Sequence, residues 1–376
     1  QGKAAGLSIS RPGGDPNGGF VMRLRGLSTL GANTSPLIVL DGQIGADINT
    51  VDPNDIQSID ILKDGSAAAI YGTRGSSGVI IITTKKGKSG QAQVAYNGSV
   101  TAESPVRFAE HMTAEEFKKL PGAKDYGSST DWNKEISRTA ISHVHNLSLS
   151  GGAQGTTYNA SVNYRDEQGV AIRTGFQQLN SRLNLTQKAL NNRVTFNIIV
   201  NATRRTQDNG FGHAFKYATI FNPTAPVHTT NPLFDASGGG YFETNLIDYS
   251  NPVAVLEQNT NKTEIKRLNF NTSADIEIAK NLKFLVRYAQ QTSSSYNELY
   301  SPRDAWISRG FFNDYSGFSR GGYSYKKDDE SYDQLYENTL SYDHKFNKLN
   351  LSAVGGYSYQ QFIFKGYSLG AGGFVT

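Results

Sequence analysis

The 376-residue sequence has no cysteine, only two methionines and two tryptophans, and no apolar run near the roughly 18 residues that a membrane helix needs. The first absence excludes disulfide staples and thiolate metal sites. The last excludes a helical span but leaves a barrel of strands open. Charge of one sign is also missing: 37 basic and 33 acidic residues give a net +4, too mild and mixed for a nucleic-acid groove, so no nucleic-acid partner is expected. No signal peptide opens the chain at Gln1, which reads as a processed or partial product. What the chain does have is 39 glycines, 20 tyrosines and 19 phenylalanines in a composition 37% hydrophobic, enough to fill an ordered, β-rich structure.

The stretch SAAAIYGTRGSSGVIIITTKKGK places Gly72, Gly75 and Gly78 ahead of a β-branched run. A phosphate-binding loop needs strand, then glycines, then a helix whose N-terminus receives the anion. Here the order is reversed. Asp64, Ser66 and Ala67 to Ala69 favour a short helix, Gly72 stands where a left-handed cap is wanted, and residues 79–84 read as a strand. No lysine followed by Ser or Thr closes the loop, so no nucleotide or other cofactor is expected.

Two grammars meet near residue 90. Residues 1–90 read as a small α/β unit with strands near 19–25, 36–40, 56–62 and 79–84, a helical start at Asp52-Pro53, and turns at Asp41-Gly42 and Pro12-Gly13. From Ala92 the apolar pattern takes a period of two. Leu282, Phe284, Val286 and Tyr288 share one face against Lys283 and Arg287; Leu183 and Leu185 oppose Arg182, Asn184 and Thr186; Leu268 and Phe270 oppose Arg267, Asn269 and Asn271. Nine strands are predicted, near 92–103, 141–151, 156–165, 178–189, 193–206, 263–279, 282–296, 332–346 and 349–363.

Period alone does not say which face meets water, and a soluble sandwich and a lipid-facing barrel remain alternatives on that ground. Connection lengths separate them. Long loops at 104–140, 166–177, 207–262 and 297–331 alternate with short turns at 152–155, 190–192, 280–281 and 347–348. That sorting is what an up-and-down membrane barrel demands, with tight turns inside and long loops outside. The apolar stripes are nearly free of charge, with Arg204 and Lys266 at strand ends, whereas one Lys or Arg on a lipid face costs about 2–4 kcal/mol near the midplane.

Several motifs carry both these elements and a resemblance: FVMRLRG (20–26), PLIVLDG (36–42), DPNDIQSIDILKDGSAAAIYGTRGSSGVIIITTKKGK (52–88), VAYNGSV (94–100), HNLSLSGG (145–152) and NPVAVLEQ (251–258). With them the chain resembles the SusC/RagA-like class of TonB-dependent outer-membrane transporters over most of its length. Gly65 departs from the alanine usual in that class. The resemblance implies an α/β plug domain at 1–90, followed over 91–376 by the first roughly nine strands of an antiparallel transmembrane β-barrel. It implies that Asp41, Gly42, Lys63, Asp64, Tyr71, Gly72, Arg74, Gly75 and Gly78 belong to a structural and gating plug motif. It also implies energised import of an oligosaccharide or oligopeptide, a TonB-type energy-coupling protein and a SusD-like surface lipoprotein as partners, and membrane lipids around the wall. The segment that the coupling protein grips in this class does not precede the plug, and nine strands do not close a wall of roughly 22, so the chain is expected to be part of a longer polypeptide.

Other features carry two readings each. Arg74 is either a contact to the wall or a solvated loop residue. His143 and His145 sit two apart on one strand face like a metal pair, but with no third ligand at suitable spacing. The KKDDE run at 326–330 reads as a solvated loop tip, with divalent-ion binding by Asp328, Asp329 and Glu330 as the alternative. Loop aromatics, among them Phe211, Tyr217, Tyr241, Phe242, Trp306 and Phe311, either stack on solute or stiffen the loops. No Ser-His-Asp set or carboxylate pair can be placed, so no enzymatic activity is expected. The functional alternatives to the importer are a passive porin or adhesin on the same wall, and a soluble glycan-binding sandwich.

Overall fold

A computed structural model describes residues 7–10, 15–19, 21–24, 35–48, 51–62, 71–235, 239–244, 246, 248–305, 321–347 and 349–374. The predicted Pro12-Gly13 turn and the alanine helix at 67–69 lie outside the described residues.

The first 84 residues supply two small sheets. Strands β1 (Leu7–Ser10) and β2 (Val21–Leu24) pair antiparallel. A second sheet has the order β4-β3-β6-β5, from β3 (Leu37–Leu40), β4 (Gln43–Ile44), β5 (Ile56–Leu62) and β6 (Val79–Thr84). β3 and β6 run parallel in the centre, so both their faces are covered and their sequences, LIVL and VIIITT, are continuously apolar or β-branched. Ile38, Leu40, Ile80 and Ile82 form the core with Met22 and Val51. Asp52 caps a 3-10 turn, Pro53–Asp55, by accepting from Asn54 N–H, with proline at its first position. The glycine stretch becomes a 3-10 turn at Gly72–Gly75, with φ +60 at Gly72 and φ +89 at Gly78, both left-handed.

Nine antiparallel strands then follow in sequence order across one sheet: β7 (Gly90–Glu103), β8 (Ala140–Ala153), β9 (Thr156–Gln168), β10 (Gly175–Ala189), β11 (Val194–Asp208), β12 (Thr260–Ala279), β13 (Leu282–Ser301), β14 (Gly322–Phe346) and β15 (Leu349–Phe374). One end of the sheet is closed by short turns whose residues sit at positive φ, such as Gln154-Gly155 and Leu190-Asn191-Asn192. At the other end lie the connections 104–139, 169–174, 209–259 and 302–321. The sheet is therefore up-and-down throughout.

Its two faces are the reverse of a soluble protein's. On the face turned to the plug, Asn146, Asn163, Asn184, Asn201 and Asn269 are buried, Asn163 and Asn184 to 1% exposure. On the other face Val100, Leu147, Val162, Leu183, Phe196 and Leu268 are exposed, Phe196 to 47%. Burying amides while presenting leucines makes sense only where the outside medium is hydrocarbon and the inside is polar.

The strands outrun the sequence-based expectation, most of all β14 and β15, of 25 and 26 residues. The KKDDE run is a correction: it lies inside β14, not at a loop tip. Its residues alternate across the sheet, and Lys326 pairs with Glu298 of β13 at 3.3 Å while Lys327 pairs with Asp329 at 2.6 Å. The loop predicted at 166–177 shrinks to six residues, because Gln168 and Gly175 already pair.

Candidate functional site: the plug–wall seam and the outer cap

The turn joining β3 to β4 is two residues, Asp41 and Gly42, at φ +49 and +86. Asp-Gly is the pair such a tight hairpin favours, because both positions need left-handed backbone. Asp41 is thereby aimed at the wall. Its carboxylate accepts from Thr84 N–H (2.9 Å), from Thr84 Oγ1 (3.0 and 2.8 Å) and from Arg182 Nη2 of β10 (2.8 Å). Arg182 also reaches Thr84 Oγ1. The Asp41 carbonyl accepts from Asn271 of β12 (3.0 Å), and Gln43 donates to Gln291 of β13 (3.0 Å). Gly42 lies flat beneath the Arg287 guanidinium: a Cβ there would stand 2.6 Å from Nη1.

The same polarity recurs around the seam. Asp47 of the plug meets Arg267 of β12 at 2.7 Å, and Asp52 meets Arg165 of β9 at 3.3 Å. Asp55 accepts from Ser161 Oγ at 2.8 Å, and burial raises its carboxyl pKa above the usual range. Acids on the plug thus face arginines on three wall strands, and Asp41 and Arg182 are almost fully buried. Opposite them, Arg74 Nη1 donates to Gln360 of β15 at 2.6 Å, and Gln360 donates in turn to Asp333. Gly75 is buried in its turn. At Gly78 an added Cβ would overlap Leu24. Tyr71 packs on Val39 and Val79 with a hydroxyl pKa raised by burial. Lys63 and Asp64 lie outside the described residues.

Above the wall, loops 104–139 and 209–259 fold into a cap with its own core. Helix α1 (Ala114–Phe117) lies in the first loop, and helices α2 (Trp132–Glu135), α3 (His213–Ile220) and α4 (Pro252–Glu257) contribute side chains to the core. Trp132, Ile136, Tyr217, Phe221, Phe242 and Leu256 are buried together. Asn251 explains the NPVAVLEQ motif: its Oδ1 accepts from Val253 and Ala254 N–H to cap α4, and its Nδ2 donates to the Val227 carbonyl. Two of the aromatics singled out in the sequence, Tyr217 and Phe242, are core, so their faces are covered by protein. Tyr217 donates to Asp248 at 2.8 Å and Tyr241 to Glu257 at 2.6 Å; burial and these carboxylates push both hydroxyl pKa values well up. Tyr241 and Phe211 are half-buried against the same core. Trp306 and Phe311 lie outside the described residues.

His143 and His145 share the outer face of β8, with ring centroids 5.2 Å apart. The structure sets Asp166 of β9 4.0 Å from His143, while His145 Nδ1 bonds to Tyr96. Among the described residues no three His, Cys, Asp or Glu side chains form a metal-binding group. The seam arginines Arg165, Arg182, Arg267 and Arg287 are contacts that motif reading passes over, although their parity already places the last three on the polar face.

Comparisons with known proteins agree with this geometry. The model of the TonB-dependent receptor plug domain matches residues 1–79. TonB-dependent receptor SusC of Bacteroides thetaiotaomicron is 37% identical over 275 residues, an alignment covering 67% of this chain and 27% of that protein. TonB-dependent receptor P3 of Formosa agariphila is 29% identical over 394 residues, covering 100% of this chain and 37% of that protein. The chain therefore spans about a third of the length of these curated relatives. Among solved structures, the RagAB peptide importer in its closed-closed state superposes with a TM-score of 0.77 at 20% identity, covering 100% of this chain and 46% of that one. The unliganded ferric citrate transporter FecA follows the same fold at 0.58 and 12% identity, covering 98% and 45%. A small plug set against the inner face of an up-and-down antiparallel sheet is the fold this chain shares with those solved structures, and with the plug-domain match and the curated relatives it follows that the chain belongs to the SusC/RagA-like TonB-dependent receptors.

Proposed function

We propose that this chain supplies the plug and the adjoining arc of wall of an outer-membrane importer that takes up oligomeric nutrients, glycan or peptide, by energy coupling from the periplasm. The observation that carries the reading is the chemistry of the seam. Among the described residues, ion pairs and amide hydrogen bonds join the plug to the wall on five strands. Water can replace such bonds as they break, so a pull on the plug meets a modest barrier. An apolar seam would expose greasy surface along the whole path.

A TonB-type protein would deliver the pull, and a SusD-like surface lipoprotein would cover the cap. The TonB-dependent receptor relatives support the first partner and the RagAB peptide importer supports a peptide cargo, while the lipoprotein and a glycan cargo rest on the sequence resemblance. The plug segment would act by displacement, with Gly72, Gly75 and Gly78 letting its backbone turn sharply between Tyr71 and β6. Uptake of a labelled oligosaccharide or oligopeptide by cells carrying the full-length protein tests the reading. Import should stop when the proton gradient is collapsed or the coupling protein deleted; a passive porin would keep conducting and an adhesin would bind without uptake.

A further inference from the structure

The plug also touches the wall at the loop-side ends of β10 and β11, through residues other than those of the ion pairs above. Residues 15–18 form a turn in which Asp15 Oδ1 accepts from Asn17 N–H (2.8 Å) and the Asp15 carbonyl from Gly18 N–H (3.1 Å). The turn presents the Asn17 amide to the loop-side ends of β10 and β11, where Gly175 and Asp208 pair. Asn17 Nδ2 donates to the Asp208 carbonyl (2.6 Å) and the Gly175 carbonyl (3.3 Å), and its Oδ1 accepts from Arg205 Nη2 (3.3 Å). Arg205 Nη2 also donates to the Pro16 carbonyl (3.4 Å), and its guanidinium lies 3.7 Å over the buried Phe176 ring. Pro16 is buried against Gly169, where a Cβ would stand 3.0 Å from its Cδ.

What makes this rim contact more than another fastening is what begins there. Asn209, next to Asp208, donates to Asn261 and Thr263 of β12, and α3 of the cap starts four residues later. Gly169 opens the loop that carries Ala171 and Ile172 to the cap: Ile172 N–H donates to the Ile136 carbonyl, and Ala171 bridges to Ser137. Arg138 ties that loop by donating to the carbonyls of Gly169 (3.0 Å) and Thr174 (2.8 Å). Two of the struts that tie the cap to the wall, loop 169–174 and the start of loop 209–259, thus pass within reach of one plug turn.

We propose that the turn at residues 15–18 is a mechanical coupling between plug and cap, with Asn17 as the positioning residue: a shift of the cap struts is felt by the plug, and withdrawal of the plug loosens the struts. Coupling of this kind is reciprocal, so either end can be perturbed to test it. Asparagine suits the role because one planar amide donates to the wall carbonyls while accepting from Arg205. Aspartate would keep the bond to Arg205 but set a carboxylate against two carbonyl oxygens.

Hydrogen exchange on the full-length protein in membranes tests this without reference to any cargo, so its outcome is separate from that of the uptake assay. Asn17→Ala and Asn17→Asp should each raise amide exchange about tenfold or more across 169–175 and 205–212, the loss expected when one or two hydrogen bonds release a strand end. Exchange in 194–200, at the far end of β11, should not change. The wall-side variant Arg205→Lys should raise exchange in the same segments and not elsewhere. Unchanged exchange in 169–175 and 205–212 in the Asn17 variants, or an equal rise along all of β11, would overturn the proposal. Should an Asn17 variant fail to reach the membrane, Arg205→Lys decides alone by the same criterion.

Discussion

Arg182 of the wall and Asp41 of the plug meet at 2.8 Å with side chains 3% and 6% exposed. Removing one partner of a buried pair leaves the other charged and uncompensated, at a cost of about 3–5 kcal/mol. Arg182→Ala should therefore unseat the plug while leaving the wall intact. Single-channel recording in planar bilayers should show conductance where the parent protein is silent; a silent Arg182→Ala channel would assign the seating to the other contacts.

Gly42 gives a second, purely steric prediction. Alanine there meets the Arg287 guanidinium and must also hold φ +86, where a Cβ costs about 1–2 kcal/mol. Gly42→Ala should lower the urea midpoint of plug unfolding. Adding Arg287→Ala should restore only the part due to the clash, because the backbone penalty is independent of the wall.

Asp55 makes plug docking pH-dependent. Burial raises its folded-state pKa, so between the unfolded and folded values the docked plug holds a proton that the unfolded chain has released. Its contribution is fully present below the unfolded carboxylate value and is lost as pH rises through the folded one. Asp55→Asn keeps a partner for the Ser161 hydroxyl and removes the titration. The substituted plug should be the more stable of the two near neutral pH, with a flatter dependence across the acidic range, measured by denaturant midpoints at a series of pH values.

The outer face predicts a contrast between neighbouring residues. Phe196→Arg puts a charge into hydrocarbon and should cost about 2–4 kcal/mol of folding stability in lipid vesicles. Asn197→Arg, one position along the same strand but facing inward, should cost far less. Equal penalties would mean that the faces are wrongly assigned.

Within the cap, Tyr217→Phe removes a hydrogen bond to the Asp248 carboxylate while keeping the ring in the core. A bond to a charged partner contributes about 1.5–3 kcal/mol. Proteolysis should cut loops 104–139 and 209–259 faster in the variant, with the cleavage rate of the wall unchanged.

The sequence made these faces legible because a strand inside a bilayer has no freedom of pattern: Leu282, Phe284 and Val286 must point one way and Arg287 the other. Above the hydrocarbon that constraint ends. About 9–11 tilted residues cross a membrane, whereas β12 to β15 have 20 to 26. Their outer parts are wet on both faces, so the period-two signal fades, and KKDDE looked like a loop although its charges pair within β14 and across to β13. Asp41 and Gly42 were readable from the hairpin they make. Their wall partners were not, because Arg182 stands 141 residues away in sequence and only folding brings it to the turn. That Tyr217 and Phe242 are core was hidden for a related reason: ring content does not separate a stacking surface from the interior of a cap.

The asparagine lining of the wall has one more implication. Channels that close at a greasy constriction do so because water retreats from it. The arc of wall lined by Asn146, Asn163, Asn184, Asn201 and Asn269 would stay wetted at any width, so this arc could not contribute a drying constriction. Along it, opening and closing would follow the position of the stopper.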